Sequence, residues 1–352
     1  MQNLWRWILG YADAPPPAAR VPARVRAMTA PPTGSVHSAE AAAAAHEAMS
    51  LAQLGDRFHR YVLGLPDYHA NEPSQEERAI LKRLQATCTA FDVRSLPRLP
   101  TVLPQLLRSL KSDTVGGAQL AKLIGRDPVL VGEVMRVSRS IYYRTLHPIQ
   151  SLQHAVVLLG QDGLRRVVTM HVMKPILHAS AGMFGHVAGQ RLWDHAERCA
   201  HACAYLGKGS SDPFEAYLAG IVCNTGTGAV VRVLDQEAPM ELGPLTSHFL
   251  AACAQLAAQL SLRAARHWNL PTNVLNALEE RTVAGMPPES SLGRALLCAD
   301  TLAMAQVLGE HALAAPDTDL STAWPEFFTP AMIERCQQDL RRQFRDADAR
   351  AC

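Results

Sequence analysis

Along most of this chain apolar residues recur three and four positions apart, the spacing that lays one hydrophobic stripe along an α-helix. The stripe is clear in Leu192–Leu206, Pro213–Val230, His248–Trp268, Pro271–Val283, Leu292–Leu308 and Ala331–Phe344. No stretch alternates with period two over the length of a strand, and no repeat of fixed period occurs, so the pattern predicts an all-α protein.

Start and stop signals divide the helices. Ser74-Gln75-Glu76-Glu77 is a capping box ahead of Ile80, Leu81 and Leu84. Asp127-Pro128 places an acceptor at a helix cap and proline in the first turn, where a missing N–H costs nothing. Ser151 caps a helix that should break at Gly160-Gln161-Asp162-Gly163 and resume at Leu164. Ser38 caps an alanine-rich stretch that carries Leu51, Leu54, Phe58 and Val62 to Gly64 and Pro66. This helix and the one after Ser74 read as a helical hairpin over 38–90, ahead of a main domain over 94–290. Helices over 291–352 complete or extend the bundle. Residues 1–37 are rich in Pro and Ala and read as a disordered segment, too poor in burial to offset ordering entropy.

Composition narrows the function. With 352 residues and 48% hydrophobic content, the chain has material for a substantial core. Lysine plus arginine, at 34, barely exceeds aspartate plus glutamate, at 32, and no basic run stands out, so no nucleic-acid partner is expected. The pair Arg165-Arg166 reads as a solvated helix face. The stretch around Trp5, Trp7 and Ile8 is interrupted by Arg6, and no later segment reaches the roughly 18 uncharged apolar residues of a membrane span, so a cytoplasmic protein is expected. The eight cysteines lie in Ala/Leu-rich helical contexts without a CxxC, and Cys199 and Cys203, four apart, read as reduced core residues rather than a metal pair. There is no GxSxG elbow, Walker loop, HExxH or dinucleotide fingerprint, and the glycines of Thr225-Gly226-Thr227-Gly228 read as a kink or a close helix contact. Trp193, Trp268 and Leu158-Leu159 sit at apolar helical positions and are expected in the core.

Three strings in order, Leu96-Pro97-Arg98-Leu99-Pro100, Leu120-Ala121-Lys122-Leu123-Ile124-Gly125-Arg126-Asp127-Pro128, and Val137-Ser138-Arg139-Ser140-Ile141-Tyr142-Tyr143, resemble the opening subdomain of the HD-related output domain (HDOD) family. Ile149-Gln150-Ser151-Leu152 and Leu158-Leu159-Gly160 follow with similar gaps, then more weakly Leu192-Trp193-Asp194-His195, Tyr217–Val222, Trp268-Asn269-Leu270-Pro271 and Ala299-Asp300. The resemblance implies a bundle of two packed helical subdomains and a bacterial signalling role. It also implies descent from HD-type phosphohydrolases, which hold divalent metal with a histidine, an adjacent His-Asp pair and a later aspartate. The position similar to that pair reads Cys223-Asn224. His195 and Asp300 stand where the outer ligands would be, Ala257 and Ala258 replace a frequent histidine, and Arg281-Thr282 replaces a histidine pair.

Asparagine brings no negative charge, and a lone cysteine beside it does not serve a hard metal. The expectation is therefore a non-catalytic regulatory protein with no cofactor and no metal, in which His195, Cys223, Asn224 and Asp300 are vestigial. Asp300, in an apolar helix, needs a buried partner, and His195 is the one expected. The partner class is another signalling protein. Two rivals stand beside this reading: a metal-dependent phosphohydrolase of a nucleotide second messenger, and a pseudoenzyme that senses a nucleotide without cleaving it.

Overall fold

The caps form as their sequences require. In the computed structural model, which describes residues 50–67, 72–90, 117–139, 149, 151–178, 185–237, 245–283, 285–315 and 318–348, Ser74 and Glu77 exchange the two bonds of a capping box at 2.7 and 3.1 Å. Asp127 accepts from the backbone of Val129 and Leu130, at 2.9 and 3.1 Å, and Ser151 accepts from His154 at 3.1 Å. The helices that result are α1 (Leu51–Leu63), α2 (Gln75–Ala90), α3 (Gly117–Ile124), α4 (Pro128–Ser138), α5 (Leu152–His178), α6 (Gly185–Leu206), α7 (Pro213–Val222), α8 (Thr225–Glu237), α9 (Ser247–His267), α10 (Thr272–Glu280), α11 (Ser291–Glu310) and α12 (Pro330–Asp348). Among the described residues no strand occurs; one isolated bridge joins Lys208 and Ser211. The alanine-rich stretch after Ser38, the segment over 1–37, the Leu96–Pro100 string and the Tyr142-Tyr143 pair lie outside the described residues.

Two expectations about continuity resolve differently. Gly160 breaks α5 as read, with a positive φ of 63° that L side chains rarely adopt. The stripe over Pro213–Val230, read as one helix, turns at Cys223-Asn224 and restarts as α8, with Thr225 Oγ1 donating to the orphaned carbonyl of Val222 at 2.8 Å. Apolar spacing runs through the turn because α7 is buried on nearly every side and α8 is largely buried in its turn.

Helices α3, α4 and α5 make the first subdomain, closed over Ile124, Leu130, Val134, Val156 and Leu164, with Leu159 buried and Leu158 half-buried against them. In the rest, α6 is the central helix and touches α1, α5, α7, α8, α11 and α12. Trp193 and Trp268 are buried, as their positions implied. Two glycines permit the tightest crossings. A Cβ on Gly220 of α7 would lie 2.5 Å from Cα of Ala200 on α6, and one on Gly226 of α8 would lie 1.9 Å from the Ala257 carbonyl of α9. Only a residue without a side chain fits either place.

The two helices ahead of the main domain are woven into it. Helix α1 packs on α6, α9 and α11, and α2 on α8 and α9. Buried Glu77 of α2 accepts from the backbone and hydroxyl of Thr246, the N-cap of α9, at 2.7 and 2.9 Å. Arg60 of α1, only 2% exposed, pairs with Asp56 at 2.7 Å and reaches Ser247 at the same helix end. Two apolar helical stretches, Pro213–Gln236 and Ser291–Glu310, have the length and composition of a membrane crossing, but 83% and 67% of their windows are buried inside the fold, as in core helices. Arg165 and Arg166, read as a solvated face, instead lie half-buried with their guanidinium groups over the rings of Phe214 and Tyr217, at 5.6 and 5.4 Å.

Candidate functional site

Four elements deliver the residues singled out from the sequence to one buried point. Helix α6 carries His195 and Cys199, the α7–α8 turn carries Cys223 and Asn224, Arg281 follows α10, and α11 carries Asp300. The close crossing at Gly220 brings the α7 end against α6, so the turn that interrupts the helix lands beside His195 rather than in solvent.

Asp300 is the hub. Its Oδ2 takes a 2.6 Å ion pair from Arg281, and its Oδ1 accepts from Asn224 Nδ2 at 3.1 Å and lies 3.2 Å from His195 Nε2. His195 Nε2 also faces the Asp300 carbonyl at 3.2 Å, and Asn224 Nδ2 faces His195 Nδ1 at 3.2 Å. Both Nε2 neighbours are acceptors, so the ring carries its proton on Nε2 and accepts from the Asn224 amide on Nδ1. Arg281 donates a second bond to the Cys223 carbonyl at 3.2 Å. Burial pushes the Asp300 carboxyl up, yet Arg281, His195 and Asn224 together outweigh it and hold the group well below the usual carboxylate range. Burial works against the Arg281 charge in the same way, and the Asp300 carboxylate overrides it.

This donor set does not fit a hard divalent metal. Both ring nitrogens of His195 are engaged, Asn224 turns its NH₂ toward the hub, and the cation that neutralises Asp300 is a guanidinium. Cys199, Cys223 and Asp300 do present ligand atoms within 4.8 Å of one another. Two thiols and an already paired carboxylate suit no oxygen-seeking ion, and burial pushes the Cys199 thiol up, keeping it protonated. Ala257, buried, and Ala258, half-buried, lie on α9 without a ligand atom to offer. Cys203 is buried one turn beyond Cys199, in the core as expected.

The Asp300–His195 contact was legible in the sequence. The roles of Arg281 and Asn224 as the other partners were not, although both residues stood out as departures from a ligand pattern. Phe58 was missed altogether: its ring lies 4.7 Å from that of His195 and closes the site from α1. Its place in an amphipathic stripe signals burial, not the neighbour it meets.

Removing the Asn224 amide should leave His195 and Asp300 each short of one buried donor, and Asn224→Ala is expected to cost about 1–3 kcal/mol. Urea unfolding at neutral pH measures this; an unchanged midpoint would mean that the amide is dispensable to the hub.

A family model described as HDOD domain matches residues 96–283 of the chain. A curated protein from Treponema pallidum (strain Nichols), described as uncharacterized, is 22% identical over 206 residues, which span 55% of this chain and 39% of that relative's length. Among solved structures, a provisionally named metal-dependent phosphohydrolase from Shewanella amazonensis SB2B aligns with a TM-score of 0.55 at 16% identity, over 76% of this chain and 99% of that one. An HDOD domain protein of unknown function from Geobacter sulfurreducens aligns at 0.51 and 17%, over the same shares. Both likenesses are of fold.

Proposed function

The chain belongs to the HDOD family, and on that premise we propose that it is a non-catalytic signalling protein whose helical domain binds another protein of its pathway. The observation that carries this reading is the 2.6 Å pair between Arg281 and Asp300. In an HD-type hydrolase the late aspartate serves a metal that activates water and clamps a phosphate; here the same carboxylate is spent on a side chain that cannot supply a hydroxide. Cys223 and Asn224 then leave no charged pair to rebuild the centre. What the arrangement does chemically is tie α6, the α7–α8 turn, the residues after α10, and α11 into one unit. A rigid helical surface held together from within suits recognition of a partner better than turnover.

The full-length chain, incubated with Mn²⁺ or Mg²⁺ and cyclic or linear nucleotide phosphodiesters, is expected to release product no faster than buffer. Cys223→His combined with Asn224→Asp should remain inactive, because Arg281 still occupies Asp300 and Ala257 and Ala258 still offer no ligand. Metal-dependent hydrolysis by either protein would favour the phosphohydrolase reading. A nucleotide that raises the melting temperature without being cleaved would favour the sensing pseudoenzyme.

A further inference from the structure

Cys199 Sγ of α6 and Cys223 Sγ at the end of α7 lie 3.7 Å apart beside the hub that Arg281, Asp300, His195 and Asn224 form, which Cys223 touches through Asp300. Both side chains are at most 1% exposed. The backbones that carry them are locked in register by the crossing of Gly220 over Ala200, where a Cβ would come to 2.5 Å. Neither sulfur can therefore drift from the other while the two helices stay packed. The approach is also exclusive in its surroundings: Cys203 is a full turn further along α6, and Cys223 Sγ otherwise meets the Gly220 carbonyl at 3.2 Å and Asp300 Oδ1 at 4.0 Å. A disulfide requires this 3.7 Å gap to close to roughly 2.05 Å, which falls to the two side chains since the backbones are held by the crossing.

We propose that Cys199 and Cys223 are a modification site at which hydrogen peroxide oxidises the chain to an intramolecular disulfide. The Cys223 thiolate attacks the peroxide, the O–O bond breaks, and Cys223 becomes a sulfenic acid with loss of the hydroxyl half as water once a proton is taken up. Cys199 sulfur then attacks the Cys223 sulfur, the S–O bond breaks, and a second water leaves with the Cys199 proton. Two thiols are oxidised by two electrons and one hydrogen peroxide is reduced. Cys223 is assigned the first step because its backbone carbonyl binds the Arg281 guanidinium at 3.2 Å, a cation set against the Asp300 carboxylate 4.0 Å from its sulfur, and thiolate character decides which thiol a peroxide attacks. Drawing Cys223 toward α6 strains its carbonyl away from Arg281, so the oxidation state of the pair is felt at the hub and in the residues after α10. This inference is independent of whether the domain hydrolyses a phosphodiester.

The test uses the full chain, exposed to hydrogen peroxide, alkylated under denaturing conditions and digested with trypsin. Cleavage after Arg198, Lys208 and Arg232 places Cys199 and Cys203 in one peptide, 199–208, and Cys223 in another, 209–232. The expected product is these two peptides joined, with two of the eight thiols lost. The joined product should persist in Cys203→Ser and vanish in both Cys199→Ser and Cys223→Ser. Absence of the joined peptide at a peroxide dose that oxidises other thiols would overturn the proposal. So would its disappearance in Cys203→Ser, or its formation only after the protein has been unfolded. Circular dichroism before and after peroxide confirms that each variant is folded, which keeps a negative result informative.

Discussion

A chain beginning at Arg94, which lacks α1 and α2, is expected to lose cooperative folding rather than to behave as a trimmed but intact domain. The two helices bury Leu54, Phe58, Tyr61, Val62, Ile80 and Leu84 against α6, α8, α9 and α11. Truncating one buried Leu, Ile or Phe to alanine costs about 2–5 kcal/mol, so losing this set together exceeds the whole of a typical domain's stability, about 5–15 kcal/mol. Polar losses add to this. Thr246 would keep a buried N–H and hydroxyl without the Glu77 carboxylate, and His195 would lose the ring of Phe58. The measurement is a thermal melt followed by near-ultraviolet circular dichroism. The shortened chain should show no sharp transition; one within a few degrees of the full chain would mean that α1 and α2 are a detachable extension.

Arg281→Ala should be the most damaging single change at the hub. It leaves the Asp300 carboxylate, 6% exposed, with hydrogen bonds but no cation, and breaking one side of a buried ion pair costs about 3–5 kcal/mol. The pH dependence gives the cause away. In the intact protein Asp300 is held below its unfolded value, so its contribution is complete above the ordinary carboxylate range and fades only as pH falls through the depressed value. Without Arg281 the burial that opposes ionisation loses its largest counterweight and the carboxyl rises. Protonation then relieves the variant, and its deficit should shrink between pH 7 and about pH 4.5. Asp300→Asn in the Arg281→Ala background should recover most of the loss at pH 7. Urea titrations at the two pH values decide: a deficit that stays constant with pH would point to lost packing instead of an uncompensated charge.

Both predictions bear on why Asp300 and Arg281 belong together in this bundle. Asp300 is retained here although nothing is hydrolysed in the proposed reading, and the reason is internal. Once Arg281 has settled on the carboxylate, removing either partner alone costs more than keeping both. Asn224 has the same kind of tenure, since its NH₂ serves two neighbours that would otherwise be short of a donor.

The sequence by itself determined the helical class, the caps at Ser74, Asp127 and Ser151, the break at Gly160 and the burial of Trp193 and Trp268, because each of these depends on neighbours within a turn or two along the chain. That His195, Cys223, Asn224 and Asp300 are a poor ligand set is an expectation drawn from side-chain chemistry alone. Three-dimensional packing decided the rest. Helix periodicity says which face is buried but not what it is buried against, so it made α1 and α2 a hairpin ahead of the domain without showing that Glu77 and Arg60 fasten them to the start of α9. The turn at Cys223-Asn224 was hidden because α7 is buried on nearly every side and α8 follows it with more buried apolar residues, so the pattern carries no break. Arg281 and Asp300 are only 19 residues apart, yet a surface loop and two helix ends separate them, and no local rule pairs them. The 3.7 Å approach of Cys199 to Cys223 depends on Gly220 crossing Ala200, a contact that exists only when two helices meet.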